Sequence, residues 1–77
     1  MEERQIQELV QSIRTYLSQR PDAADTLEGI TRWWVRSASL DLSPQLVEAA
    51  LEILIQEGVV TTTHVGGRLL YRGARSN

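Results

Sequence analysis

The side chains able to do chemistry are few in this sequence and stand far apart. Its only histidine is His64, it has no cysteine, and its ten acidic residues are scattered from Glu2 to Glu57. Nucleophilic catalysis needs a hydroxyl or thiol beside a base, with a third group to orient that base, and no spacing here assembles one. A metal site needs at least three clustered ligands, which one His among scattered carboxylates does not supply. Gly66-Gly67 is a turn and not a phosphate loop, because neither a G-x-G-x-x-G nor a G-K-[ST] pattern surrounds it. The sequence therefore reads as a non-catalytic chain with no metal and no cofactor.

What is left is recognition chemistry, and two groups of residues carry it. Arg32, Trp33 and Arg36 would place an indole between two cations, a patch suited to a protein partner of acidic and apolar character, or to stacking a base or lying on a phosphate backbone; the plainer reading is that Trp33 and Trp34 are core anchors with an accessible edge. Arg68, Leu70 and Arg72, with His64 nearby and Arg75 beyond, form the second group. Its arginines could make about three phosphate contacts, enough for weak and strongly salt-dependent binding, or be simply solvated charges that discourage aggregation at an exposed sheet edge. The charge is unevenly spread. Residues 1–57 hold ten Asp and Glu against five Arg (−5), and residues 58–77 hold three Arg and no acid (+3), for a net of −2. All eight cations are Arg, either a preference for bidentate contacts or, the reading favoured here, a mark of a GC-rich genome.

Seventy-seven residues, 42% apolar and 23% charged, suit one ordinary globular domain over 1–77, with a single core. The N-terminus lacks the basic start and apolar run of a signal peptide, and no eighteen-residue apolar stretch occurs, so neither export nor a membrane span is expected. Absence of cysteine suits a reducing compartment, and a bacterial-type cytosol is the expected setting.

The elements that must position these residues are organised around Ser43 to Gly58. Ser43 is a helix cap, Pro44 suits the first helical position and Gly58 ends the helix, so helix three spans about 44–57. Its apolar residues cover most of the circumference and leave one narrow polar stripe, Gln45, Glu48, Glu52 and Gln56, with two carboxylates and no cation. Ile6, Leu9, Val10, Ile13 and Leu17, with Tyr16 on the edge of that face, predict helix one over about 3–19, stopped by Pro21. The opposite face, Glu8, Gln11, Ser12 and Thr15, suggests nothing beyond solubility. Asp25-Thr26-Leu27-Glu28, a cap with a Glu three residues on, opens helix two over about 26–35. Leu27, Ile30 and Trp34 share its inner face, Gly29 allows a neighbouring backbone to approach, and one edge of the Trp33 indole stays accessible. In the connection that follows, Leu40 and Leu42 pin the loop, Leu42 forming a hydrophobic staple with Val47 or its neighbour. Beyond Gly58, two β-rich runs around Gly66-Gly67 predict a hairpin over about 59–72. In that register Val65 faces Arg68, Thr63 faces Leu70 and Thr61 faces Arg72. Val60, Thr62, His64, Leu69 and Tyr71 then share the face expected to meet the core, and Leu70 lies outward between two arginines.

Three helices followed by a two-stranded antiparallel hairpin make an α+β, mainly α, arrangement. In this order and length it resembles the winged-helix family of helix-turn-helix domains. The most specific part of the resemblance is L-V-E-A-A-L-E-I-L-I-Q-E-G-V-V followed by G-G-R-L-L-Y-R, similar to a recognition helix, its exit glycine, the first wing strand and the returning strand with its aromatic. One departure is the connection Arg36 to Leu42, longer than in the simplest helix-turn-helix. The resemblance implies DNA binding, with helix three in the major groove and the wing on the phosphates or minor groove. The stripe of Gln45, Glu48, Glu52 and Gln56 argues against that, since it would bring two carboxylates to a polyanion. The expected function is thus a protein-interaction adaptor or accessory subunit. The alternative is a small DNA-binding transcriptional regulator using the Arg-bearing wing, as a homodimer that pools two weak basic patches.

Overall fold

The computed structural model describes residues 2–35 and 43–74. The first helix, α1 (Glu2–Gln19), forms on the apolar spacing noted above and stops before Pro21. Leu9, Val10, Ile13 and Leu17 are buried along one side of it, with Ile6 and Tyr16 packed at the margin. A short strand, β1 (Ala24–Asp25), follows. Next comes α2 (Leu27–Gly29), which continues without a break into a π-helical turn, Ile30–Trp34.

The cap of this second helix is Thr26, one residue later than the sequence pattern suggests. Its Oγ1 accepts the Gly29 N–H at 3.2 Å, and the Asp25 carboxylate accepts the Thr26 N–H at 2.8 Å. Asp25 also occupies the space that explains Gly29. A Cβ built there would lie 1.9 Å from Asp25 Oδ1, so the group approaching Gly29 is a carboxylate and not the backbone expected.

The third helix, α3 (Pro44–Gln56), has both ends as written in the sequence. Ser43 Oγ accepts the Gln45 N–H at 3.2 Å, and Pro44 opens the first turn. Gly58 adopts φ 80°; its N–H donates to Ile55 O at 3.0 Å and the Val59 N–H donates to Leu54 O at 2.9 Å. These are the two bonds of a Schellman cap, which satisfy carbonyls the helix would otherwise leave open. Val47, Ala50, Leu51 and Leu54 are buried, and Leu46, Ile53 and Ile55 pack around them. A half-exposed ion pair, Arg14 to Glu57, ties α1 to the end of α3; solvent limits such a pair to about 1 kcal/mol or less.

Strands β2 (Val60–Val65) and β3 (Arg68–Gly73) form the hairpin in the expected register: Val65 opposite Arg68, Thr63 opposite Leu70, Thr61 opposite Arg72. Gly66 and Gly67, at φ 58° and 80°, give the turn its two left-handed residues. The sheet nonetheless has three strands, in the order β1-β3-β2. The segment read as a plain connection supplies β1, with Ala24 opposite Arg72 and Asp25 opposite Tyr71. The fold is α+β and mainly helical, and its buried side chains form one cluster shared by the three helices and the base of the hairpin.

The expected core face of the hairpin is buried only at that base. Val60 and Tyr71 are covered, whereas Thr62, His64 and Leu69 are exposed. Helices lie beneath the base, and toward the turn the hairpin runs out past them. Leu70, expected to stand outward and bare, is half-buried; Leu69 is the exposed leucine. The loop anchors Leu40 and Leu42 lie outside the described residues, as does the staple to Val47. Among the described residues no helix is long and apolar enough to cross a membrane.

Candidate functional site

Trp33 and Trp34 are neighbours with opposite fates, and the π turn widens the difference. An α-helix advances about 100° per residue, and a π turn, at about 4.4 residues per turn, advances about 82°. Measured from Ile30, Trp33 would stand about 60° away on an α-helix and stands about 115° away on the π turn, while Trp34 stays within about 40° on either. Trp34 accordingly reaches the core at 3% exposure, and Trp33 points out at 67%, far more than the single edge expected from spacing. Trp34 stacks on Tyr16 with ring centroids 4.8 Å apart and planes 13° from parallel. The Arg20 guanidinium lies 5.3 Å from the centre of the same tyrosine ring. Such contacts are worth about 0.5–1.5 kcal/mol each beyond the area they bury.

Arg32, on the same turn as Trp33, is exposed. Arg36, expected on the other side of the indole, lies outside the described residues. The described part of the patch is therefore one exposed indole and, next to it in sequence, one exposed cation.

On the hairpin, Arg68 and Arg72 are both exposed and share a sheet face with Leu70, Thr61 and Thr63. They stand four positions apart along the strand, about 13 Å. His64 is exposed too, but on the opposite face, where it pairs with Leu69. It does not join the arginines. Arg32 with Trp33 and Arg68 with Arg72 stand on different elements, and among the described residues no hydrogen bond or ion pair links them.

Gln45, Glu48, Glu52 and Gln56 are all exposed along α3. The field of this stripe is felt at Tyr71. Burial first, and then the carboxylates of Glu48 and Glu52, raise the phenol above its usual 10.0. A negative charge arriving here, whether phenolate or phosphate, meets two carboxylates in place and no cation on the helix.

One feature was invisible in the sequence. Gln11, Ser12 and Thr15, from the face of α1 that looked merely solvated, join Tyr16, Gln19 and Trp34 around a shallow groove of about 310 Å³. It lies where Tyr16 stacks on Trp34, a pairing across two helices that no local spacing signals. Among the described residues no cluster of His, Cys, Asp or Glu could hold a metal ion.

Comparison with known proteins gives no match: no family model fits the chain, and no curated protein or solved structure matches it.

Proposed function

We propose that this chain is a non-catalytic winged-helix module of the cytosol that works by binding another protein, with Trp33 and Arg32 at the centre of the contact. The order of elements, three helices and then a glycine-turned hairpin, supports the winged-helix reading. The observation that carries the function is the 67% exposure of Trp33. A small domain gains from burying an indole, and here the helix holding it is wound so that the indole faces water. Tryptophan and arginine are the residues most enriched at the energetic centres of protein interfaces. The acidic face of α3 supports the same reading, since a helix meant for duplex DNA would carry cations there.

A second reading rests on a different observation. Arg68 and Arg72 lie exposed on one open sheet face beside two threonines, an arrangement suited to phosphate contacts in a DNA-binding regulator.

Two experiments separate them. Duplex DNA binding is measured by fluorescence anisotropy at low and at physiological salt, for the wild type and for Arg68→Ala with Arg72→Ala. Affinity capture compares the wild type with Trp33→Ala. A partner held by the wild type and lost with Trp33→Ala, without salt-sensitive DNA binding, supports the adaptor. Duplex binding that steepens as salt falls and disappears with the two arginines replaces it with the regulator.

A further inference from the structure

We propose that β2 is a homodimerisation edge, through which two copies of this chain join antiparallel about a twofold axis at Thr62 into one continuous six-stranded sheet. The inference is independent of the partner reading above.

The two edges of the sheet are unlike. The β1 edge is two residues long and lies close to Pro21, which limits what could pair with it. The β2 edge is six residues, V-T-T-T-H-V, with no proline and neither acid nor arginine, and it pairs with β3 through six successive positions without a bulge. Exposed edges are ordinarily blunted by charge, proline, bulges or brevity. None of these protects β2, although the chain places arginine at two positions of the adjoining β3.

The hydrogen-bond phase of the hairpin defines what the free edge offers. Antiparallel ladders alternate bonded and non-bonded pairs. The Ala74 N–H donates to Val59 O at 2.9 Å, and Val65 with Arg68 flanks the two-residue turn. Residues 59, 61, 63 and 65 thus bond inward to β3. Val60, Thr62 and His64 turn their N–H and C=O groups outward, and no strand among the described residues meets them.

A twofold axis normal to the sheet pairs residues of the same face, so an outward residue must meet an outward residue. Centring the axis on Thr62 sets Thr62 against its own copy and Val60 against His64 of the second copy. All three outward residues of each strand are then paired. The same register brings Val65, 56% exposed, opposite the half-buried Val59 of the second copy at a non-bonded position, where side chains stand closest. The bare tip of each hairpin lies beside the helix-covered base of the other, and no like charges meet along the seam. Both copies of Arg68 and Arg72 come to one face of the joined sheet.

The test uses the full chain, whose lack of cysteine makes a single introduced thiol an unambiguous reporter. Sedimentation equilibrium gives the oligomeric state of the wild type and of Thr62→Lys, which sets two ammonium groups directly opposite each other. Mild oxidation of Thr62→Cys and of Val65→Cys follows crosslinking. Bonded pairs have Cα atoms about 5.5 Å apart, within disulfide reach, whereas the two copies of residue 65 stand about 20 Å apart in this register. The expected result is a wild-type dimer, at least tenfold weaker in Thr62→Lys, and faster crosslinking at 62 than at 65. A chain monomeric at every concentration, with 62 crosslinking no faster than 65, overturns the proposal. So does a dimer that Thr62→Lys leaves intact, since it must use another surface, and so does an edge that pairs only with a foreign strand.

Discussion

Replacing Gly29 by alanine should destabilise the protein for a reason that lies in Asp25. Gly29 has φ −64° and ψ −40°, ordinary helical values that alanine adopts freely, so its backbone does not demand glycine. Taken alone the substitution should gain about 1 kcal/mol of helix propensity. The added Cβ, however, would lie 1.9 Å from Oδ1, 2.2 Å from Cγ and 2.4 Å from Oδ2 of Asp25. Asp25 is short and lies in β1 opposite Tyr71, so its carboxylate can yield only by leaving the Thr26 N–H. A hydrogen bond to a charged group contributes about 1.5–3 kcal/mol. The net expectation is a loss of about 0.5–2 kcal/mol. With Asp25→Ala already present the obstacle is gone, and Gly29→Ala should then stabilise by about 1 kcal/mol. Urea unfolding of the four proteins in this double-mutant cycle, followed by tryptophan fluorescence, reads the coupling directly. If Gly29→Ala stabilises the protein while Asp25 is intact, the steric argument is wrong.

Three further outcomes follow from the same geometry. Trp34→Ala removes a core indole and its stack on Tyr16 and should cost about 3–5 kcal/mol, while Trp33→Ala should stay within about 0.5 kcal/mol; chemical denaturation of both variants checks the contrast. Gly58→Ala enters open space, so its expected cost of about 1–2 kcal/mol is purely that of a left-handed alanine, and Gly58→Asn should recover part of it in thermal unfolding. In a Tyr16→Phe background, phenolate absorbance should report Tyr71 ionising above 10.0, and Glu48→Gln with Glu52→Gln should lower that midpoint without restoring it, because burial is the larger cause. Between pH 10.0 and the raised value the native state keeps a proton that the unfolded chain has lost. The stabilisation is therefore whole below pH 10.0 and declines as pH rises through that window.

What could be read ahead of the structure was what is encoded within a few residues. Ser43, Pro44 and Gly58 mark their helix by local backbone chemistry, and Gly66-Gly67 fixes the hairpin register because a two-residue turn allows only one. β1 escaped notice because two residues carry no period, and their partners lie nearly fifty positions away. Alternation along β2 and β3 told which side chains share a face but not how far the helices reach beneath it, so Leu69 and Leu70 came out with their exposures exchanged. For the candidate site, residue types were legible and orientations were not. The π turn that carries Trp33 further outward leaves no mark on hydrophobic spacing, and His64 parts from the arginines only because alternate residues of a strand face opposite ways.

The strand order has a consequence for how the chain acquires its shape. β3, last in sequence, is the middle strand, and both β1 and β2 pair only with it. A chain interrupted before Arg68 would have no sheet of any size, since the two earlier strands have nothing to bond to. Tyr71, which seals the core over the helices, would be missing as well. The helices can gather early through contacts close in sequence, but closing the sheet waits on a segment some fifty residues from β1, a separation that slows folding. In that interval the uncharged run 60–65 stands open on both sides, and burst-phase aggregation on dilution from urea should fall when a charge is placed at Thr62.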